Sequence, residues 1–186
     1  MKKKKPKRCK KCPYYKRPRV RGYGSTELGI AFIGEAPGEM EVEYGRPFTK
    51  EGKAGEMLTK ILKALKIKRK KCYIDNTVSC RPPKNANPKA KAIQLCRKRL
   101  WRTLMSGDFK LIVCLGRFAG TEIIGPNFRW GRFRRMPQIG ENVVAVALYH
   151  PAYYCYRGDD LASAIQDYKV LKKWLKHPDV FDRKAS

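Results

Sequence analysis

The run GIAFIGEAPG at residues 29–38 joins a short apolar segment to a loop of glycine and proline. Residues 29–33 carry no charge and end at a glycine, a pattern typical of a strand buried on both faces of a parallel sheet. The glycines that follow let the backbone approach a small ligand closely, because no side chain intervenes. This stretch therefore predicts a buried strand that ends in a binding loop.

Similar apolar segments recur along the chain and alternate with segments of helical periodicity. Apolar residues between Ala54 and Leu65 fall at the spacing of a helix with one buried stripe. Strands are predicted at residues 29–33, 72–78, 111–115 and 143–148, and helices at residues 54–65, 89–106, 117–125 and 159–175. Such alternation predicts an α/β protein with a mostly parallel sheet of about four strands and helices on both faces.

Each predicted strand ends in glycine or a polar residue. In chain order these ends are Gly34-Glu35, Asn76, Gly116 and His150. In open α/β sheets the ligand site lies beyond the carboxyl ends of the strands. We therefore expect the functional side chains at this edge of the sheet.

The chain carries 43 Lys and Arg residues against 16 Asp and Glu residues, which gives a formal net charge of +27. Twelve of the basic residues lie within the first 21 positions, where no acidic residue occurs, but the excess continues through the rest of the chain. Such an excess attracts polyanions through counterion release. Nucleic acid is the predicted partner, and a solvated lysine-rich surface is the simpler alternative.

The length of 186 residues fits one compact domain. We expect a flexible basic tail at residues 1–8, one domain at residues 9–176 and a C-terminal tail at residues 177–186. The sequence has no 18-residue apolar stretch and no apolar segment of a signal peptide. It therefore predicts a cytoplasmic, nucleoid-associated protein with no membrane partner, and we expect a monomer.

Four of the seven cysteines suggest a metal site. One pair has CxxC spacing in the basic N-terminal arm, and the other two cysteines are separated by a whole loop; the four are Cys9, Cys12, Cys80 and Cys96. Four thiolates suit a four-iron cluster or a structural zinc ion, and the spacing alone does not choose between them. Cys72 and Cys114 sit in apolar strands and are interpreted as buried hydrophobic residues.

Five short motifs follow one another along the chain: GEAPG at residues 34–38, GRPF at 45–48 with AG at 54–55, Asn76 ahead of CRPP at 80–83, LGR at 115–117, and HPA at 150–152. With the four cysteines, they resemble the family 4 uracil-DNA glycosylases, the iron-sulfur branch of the uracil-DNA glycosylase superfamily. The resemblance runs from Cys9 to about Leu175. It implies a three-layer α/β/α sandwich, a structural 4Fe-4S cluster on the four cysteines, and monofunctional hydrolysis of the N-glycosidic bond of uracil in DNA during base excision repair.

The resemblance also implies roles for single residues, and their chemistry agrees. It makes Glu35 and His150 catalytic: the carboxylate would activate water and favour a cationic sugar, and the imidazole would donate a hydrogen bond to the uracil anion. Phe48 offers a stacking face and Asn76 a donor and an acceptor for a pyrimidine edge. The whole set expected to bind substrate is Gly34, Ala36, Gly38, Glu41, Phe48 and Asn76.

Two further segments predict contacts with DNA. FRWGRFRR at residues 128–135 interleaves aromatic residues with arginines, and AYYCYR at residues 152–157 follows the HPA motif where relatives carry a loop that wedges into the minor groove. The expected DNA-binding residues are Arg129, Arg132, Tyr153, Tyr154 and Arg157. An ordinary surface turn is the alternative for the second segment.

The chain departs from the usual family pattern at two places. Val42 stands where relatives commonly have an aspartate, and residues 49–53 form a loop about two residues longer than usual. These departures motivate a second hypothesis, a non-catalytic iron-sulfur protein that binds uracil-containing or modified DNA. A third hypothesis is a zinc-stabilised nucleic-acid module.

Overall fold

The central sheet has six strands in the part of the chain described by the computed structural model, residues 7–158 and 160–178. The strands are β1 (Tyr23–Gly24), β2 (Ile30–Gly34), β3 (Tyr73–Asn76), β4 (Leu111–Leu115), β5 (Phe133–Arg135) and β6 (Val144–Leu148). They lie in the order β1-β3-β2-β4-β6-β5. The four inner strands run parallel, whereas β1 and β5 pair antiparallel with β3 and β6 at the two edges.

Helices cover both faces of this sheet. They are α1 (Glu39–Glu43), α2 (Lys53–Ala64), α3 (Ala90–Ser106), α4 (Arg117–Ile123), α5 (Pro151–Cys155) and α6 (Leu161–Lys176), with 3-10 turns at Lys7–Lys11, Arg69–Lys71 and Pro83–Asn85. Helices α2, α5 and α6 pack on one face, and α3 and α4 pack on the other. The predicted three-layer α/β/α fold is confirmed.

The sheet differs from the prediction at its edges. The four predicted strands form the parallel centre of the sheet, within two residues of their expected bounds. The edge strands β1 and β5 were not predicted, because segments of two and three residues are too short to show periodicity. Helices α1 and α5, of five residues each, were missed for the same reason.

Burial on both faces explains why the inner strands read as unbroken apolar runs. In β2, Ile30 and Phe32 point into the core under α2 and α6, whereas Ala31 and Ile33 point into the core under α3 and α4. Every residue of β2, β4 and β6 is buried. Polar side chains are thereby confined to the strand ends, where the polar residues of the motifs begin.

The N-terminal arm lies along the edge of the sheet beyond β3. Arg19 forms an antiparallel bridge with Cys80, and the Val20 N–H donates to the Ser79 carbonyl at 2.8 Å. The arm therefore runs back past the end of β3, which places its CxxC pair beside Cys80.

Parts of the predicted tails lie outside the described residues, namely residues 1–6 and 179–186. The one-domain boundaries at residues 9 and 176 stay predictions. No helix within residues 7–158 and 160–178 is long and apolar enough to cross a membrane.

Helix α6 fixes the end of β6 through one buried hydrogen bond. The Tyr168 side chain is fully buried, and its hydroxyl donates to the Tyr149 carbonyl at 2.7 Å. Tyr149 directly precedes His150, so this bond anchors the backbone that delivers the histidine.

Replacing Tyr168 with Phe should lower the free energy of unfolding by about 1–2 kcal/mol, because a buried carbonyl loses its donor while the packing stays nearly unchanged. Chemical denaturation monitored by circular dichroism measures the change. Tyr44→Phe is the matched control, since Tyr44 is 48% exposed, and it should leave stability unaltered. Equal stability of the Tyr168→Phe variant and the parent protein would contradict this account of the anchor.

Candidate active site

The carboxyl ends of the inner strands bring the predicted site residues to one edge of the sheet. Gly34 at the end of β2 pairs in register with Asn76 at the end of β3. On the other side, the Gly116 N–H donates to the Leu148 carbonyl at 2.8 Å, and His150 follows β6 two residues later. Four segments distant in sequence therefore meet here, as the strand pattern predicted.

Gly34 lies where any larger residue would collide with its neighbours. A Cβ atom at this position would stand 2.4 Å from the Asn76 Oδ1 atom and 2.5 Å from a ring carbon of Phe48. The Phe48 ring also faces His150, with 5.3 Å between the ring centroids. The amide, the phenyl ring and the imidazole thus converge around a position that only glycine can occupy.

The Asn76 side chain is buried but unsatisfied. Asn76 is 2% exposed, and neither its Nδ2 nor its Oδ1 atom has a hydrogen-bond partner among the described residues. Burying an amide without partners costs free energy, so such a group is retained where a ligand completes its hydrogen bonds. The Asn76 side chain therefore leaves a hydrogen-bond donor and an acceptor available at this edge of the sheet.

Phe48 is held by its backbone on both sides. Its N–H donates to the Glu41 carboxylate, and its carbonyl accepts from Arg69 Nη2 at 2.5 Å. Its φ of +50° lies in the left-handed region that side chains rarely adopt. These two bonds stabilise the unusual backbone that directs the ring toward the site.

The Glu41 side chain braces the loop that contains the GEAPG motif. Its carboxylate accepts from the N–H groups of both Gly38 and Phe48, and it thereby ties the GEAPG loop to the GRPF segment. Burial raises the pKa of Glu41, although the two amide bonds oppose the shift. The structure places Glu41 and Gly38 in the scaffold of the loop; a direct contact with substrate stays a prediction for both.

His150 begins helix α5 and has a defined tautomer. Its Nδ1 atom accepts from the Ala152 N–H at 3.2 Å, so the ring proton sits on Nε2. Burial lowers the pKa of His150 to about 4. The imidazole is therefore neutral near pH 7 and offers an Nε2–H donor.

The pKa of Glu35 is shifted in the opposite direction from that of His150. It follows Gly34 and is half-buried. Burial raises the pKa of Glu35 to about 7, and the positive charge of Arg117 opposes part of that rise. A carboxyl group with this pKa changes its protonation state at the pH where many enzymes work, which suits a group that handles protons or water.

The four cysteines predicted as ligands share one cavity. Its wall is formed by Cys9, Cys12, Cys80 and Cys96 together with Tyr14, Tyr15, Arg19, Val78, Ser79, Leu95 and Arg99. The Tyr14 N–H donates to Cys12 Sγ at 3.4 Å. Ala36, expected to bind substrate, packs against the small core that includes Cys12, Cys80 and Cys96.

The spacing of these thiols bears on which metal group fits. Within the described residues, no three His, Cys, Asp or Glu side chains are arranged to hold a metal ion. Thiolates on one tetrahedral zinc ion stand about 3.8 Å apart, since each Zn–S bond is about 2.3 Å. A four-iron cluster binds each thiolate through a different iron and needs wider spacing. The four thiols lie around one cavity, and the metal group that they would hold stays a prediction.

Cys72 and Cys114 are buried in or beside the sheet, as the sequence predicted. Burial raises the pKa of both thiols, that of Cys72 to about 12. Such thiols stay protonated and behave as small hydrophobic residues.

The residues expected to contact DNA separate into exposed and buried ones. Arg129, Arg132 and Arg157 are exposed, and Tyr153 is 39% exposed with the Arg157 guanidinium 5.0 Å from its ring centroid. Tyr154 is different: it is 1% exposed, and its hydroxyl donates to Asp167 at 2.6 Å. The prediction that Tyr154 contacts DNA is wrong, because helix α5 turns this ring into the core.

Two residues extend this surface beyond the predicted set. The Trp130 ring stacks on Tyr149 with centroids 4.5 Å apart, and Tyr149 stacks on Tyr153 with centroids 4.9 Å apart. Trp130 is 39% exposed. We call Trp130, Tyr149 and Tyr153 the aromatic column. The aromatic–arginine segment is visible in the sequence, but the stacking depends on a contact between distant segments that no local pattern reveals.

Comparison with known proteins gives a consistent result. Residues 21–175 match the family profile of the uracil DNA glycosylase superfamily. The chain is 34% identical to the type-4 uracil-DNA glycosylase of Archaeoglobus fulgidus, over 94% of this chain and 92% of that protein. It is 32% identical to the type-4 enzymes of Saccharolobus solfataricus, over 90% and 82% of the two chains, and of Thermotoga maritima, over 91% of each. The chain therefore belongs to the uracil-DNA glycosylase superfamily, in its type-4 group.

Proposed function

We propose that the protein is a monofunctional uracil-DNA glycosylase that hydrolyses the N-glycosidic bond of uracil in DNA, the first step of base excision repair. The observation that carries the proposal is the buried, unpartnered Asn76 amide beside the Phe48 ring. Family membership supports the reaction. Among the described residues, the strand ends at Gly34-Glu35, Asn76, Gly116 and His150 carry no lysine amine that would favour lyase chemistry.

Recognition requires that the uracil leaves the base stack. The Phe48 ring would cover one face of the extrahelical base. The Asn76 Oδ1 atom would accept from the uracil N3–H, and its Nδ2 would donate to O4. Cytosine presents an acceptor and a donor at these two positions, so the same amide orientation would leave two buried polar pairs mismatched, at a cost of several kcal/mol.

Cleavage places negative charge on the uracil and positive charge on the sugar. The neutral imidazole of His150 would donate its Nε2–H to the uracil oxygen that becomes anionic. Ionised Glu35 would orient the attacking water and favour the cationic sugar. Opposite pKa shifts support these roles, because burial keeps His150 neutral and brings Glu35 to the midpoint of its titration near pH 7.

The proposal includes a 4Fe-4S cluster held by Cys9, Cys12, Cys80 and Cys96. When bound, the cluster would supply structural cross-linking through four iron–thiolate bonds. The chain's own contribution is to bring the arm, the end of β3 and helix α3 together at one cavity. A structural role agrees with the small core of their own to which Cys12, Cys80 and Cys96 belong and which does not include His150.

The exposed surface beside His150 is proposed to hold the DNA strand. Arg129, Arg132 and Arg157 would contact phosphates, and Tyr153 would contact the gap left by the extrahelical base. The aromatic column supports this role, since stacked aromatic rings on a basic surface suit contact with nucleotides of any sequence.

Glu35→Gln should lower kcat by a factor of about 10² to 10⁴, since the amide neither activates water nor stabilises a cation. In the parent enzyme, kcat/KM should rise about tenfold per pH unit up to about pH 7 and then level off, because Glu35 works as its ionised form. Release of free uracil from a labelled oligonucleotide measures both. A parent profile that is flat from pH 5 to 8 would contradict the role of Glu35.

His150→Ala should lower kcat by a factor of about 10² to 10³ and leave the affinity for uracil-free DNA unchanged. The matched control is His177→Ala, since His177 is exposed after the end of α6. Equal rates for the two variants would exclude His150 from catalysis. Tight binding of uracil-containing DNA by the parent protein without release of uracil would favour the alternative of a non-catalytic binding protein.

Cys96→Ser should abolish the broad absorbance near about 400 nm of anaerobically purified protein, together with its content of about four iron atoms per chain. Cys155→Ser, which changes a half-buried thiol outside the proposed site, should retain both. Metal analysis that finds zinc and no iron in the parent protein would contradict the cluster.

A further inference from the structure

The backbone at Asn76 accepts a hydrogen bond from the side chain of Arg99. Arg99 Nη2 donates to the Asn76 carbonyl at 2.5 Å and lies 3.4 Å from the Thr77 carbonyl. From the other side, the Thr77 N–H donates to the Gly34 carbonyl at 2.8 Å. Because the Asn76 amide has no partner of its own among the described residues, its direction depends on this backbone.

The same guanidinium is paired at its other end with a buried carboxylate. Arg99 Nη1 donates to Asp75, which is 1% exposed. Asp75 also accepts from the Asn76 N–H at 2.7 Å and from the Tyr73 hydroxyl at 3.2 Å. Arg99 and Asp75 thus enclose the peptide group of Asn76 from both sides. A buried carboxylate that is paired with a guanidinium and accepts two further hydrogen bonds holds its geometry rigidly.

Arg99 also borders the cysteine cavity. It lies on α3, three residues after Cys96, and its side chain forms part of the cavity wall. Its Nε atom is buried and has no hydrogen-bond partner among the described residues. One side chain therefore lines the cavity of the four thiols and binds the backbone of Asn76, and it keeps one donor unused among the described residues.

A second arginine stands at the same wall. Arg19 lines the cysteine cavity as Arg99 does, and its backbone forms an antiparallel bridge with Cys80. Two guanidinium groups close enough to repel each other are stabilised when an anion lies beside both. Four thiolates together with their metal group supply that negative charge.

We propose that Arg99 is a positioning residue that fixes the Asn76 backbone for uracil recognition and couples it to the occupant of the cysteine cavity. The proposal rests on the proposed function, because it assumes that Asn76 reads uracil. A positively charged Arg99 attracted toward an anionic cavity keeps its place between Asp75 and the Asn76 carbonyl. When the cavity loses negative charge, the repulsion between Arg19 and Arg99 is no longer offset. The hydrogen bond from Arg99 to the Asn76 carbonyl then weakens.

The test measures binding of free uracil, which reports on Asn76 without requiring DNA or catalysis. Arg99→Gln should weaken uracil binding at least tenfold in an equilibrium titration followed by NMR, because the Asn76 carbonyl and Asp75 both lose their cation. Arg97→Gln is the matched control: Arg97 lies on the same helix and makes a bidentate ion pair with Glu122, away from Asn76. The control should bind uracil like the parent protein.

Arg99→Lys keeps the charge but has no planar fork to join Asp75 and the Asn76 carbonyl, so it should also weaken uracil binding. Either Arg99 variant overturns the proposal if it retains the absorbance near about 400 nm and binds uracil within twofold of the parent. Loss of this absorbance in both variants also overturns it, since Arg99 would then serve only the cysteine site. Should Arg99→Gln fail to fold, Arg99→Lys decides by the same criteria.

The coupling itself is tested by combining variants. Cys96→Ser should weaken uracil binding in the parent background and have a smaller effect in the Arg99→Gln background, because the link between the two sites is already cut. Equal effects in both backgrounds overturn the coupling. Failure of the proposed function is distinguishable, since parent protein that binds uracil no better than Asn76→Ala refutes the assignment of Asn76 and not that of Arg99.

Discussion

The close approach of Gly34, Asn76 and Phe48 is the constraint on which the site depends. A Cβ atom on Gly34 would meet both neighbours within 2.6 Å. The parallel register of β2 and β3 places the glycine beside the asparagine, and the bonds from Glu41 and Arg69 to the Phe48 backbone bring in the ring. Sheet pairing and loop bracing therefore act together, and neither alone brings the amide and the phenyl ring against Gly34.

Burial shifts the pKa values of the two ionisable groups at this edge of the sheet, Glu35 and His150, in opposite directions. Desolvation disfavours whichever form is charged, so it raises the pKa of Glu35 and lowers that of His150. One environment thus yields a carboxyl group that titrates near pH 7 and an imidazole that is neutral there. The backbone bond at Nδ1 then selects which ring nitrogen carries the proton. No charged partner is needed to set the state of the histidine.

The sequence predicted two kinds of feature: elements with a local apolar pattern, and polar residues that lie at the ends of strands. Buried strands such as β2 and β4 are recognisable as apolar runs in the sequence. Asn76 and His150 are recognisable because they stand at the ends of such runs. Tyr154 was misassigned, because a helical turn that the sequence did not reveal points Tyr154 into the core and leaves only the adjacent Tyr153 exposed. The role of Asp75 at the end of β3 depends on Arg99, 24 residues away. Pairing at that distance leaves no periodic trace in the chain.

The two short antiparallel strands have a consequence for how the molecule behaves among its own copies. An exposed edge of a parallel sheet offers unpaired N–H and C=O groups to another chain, and this is a common start of aggregation. Here β1 covers one flank and β5 the other, each only two or three residues long, and β5 ends in exposed Arg134 and Arg135. Both edge strands are brief and β5 is also charged, so each offers an incoming strand few backbone groups to pair with.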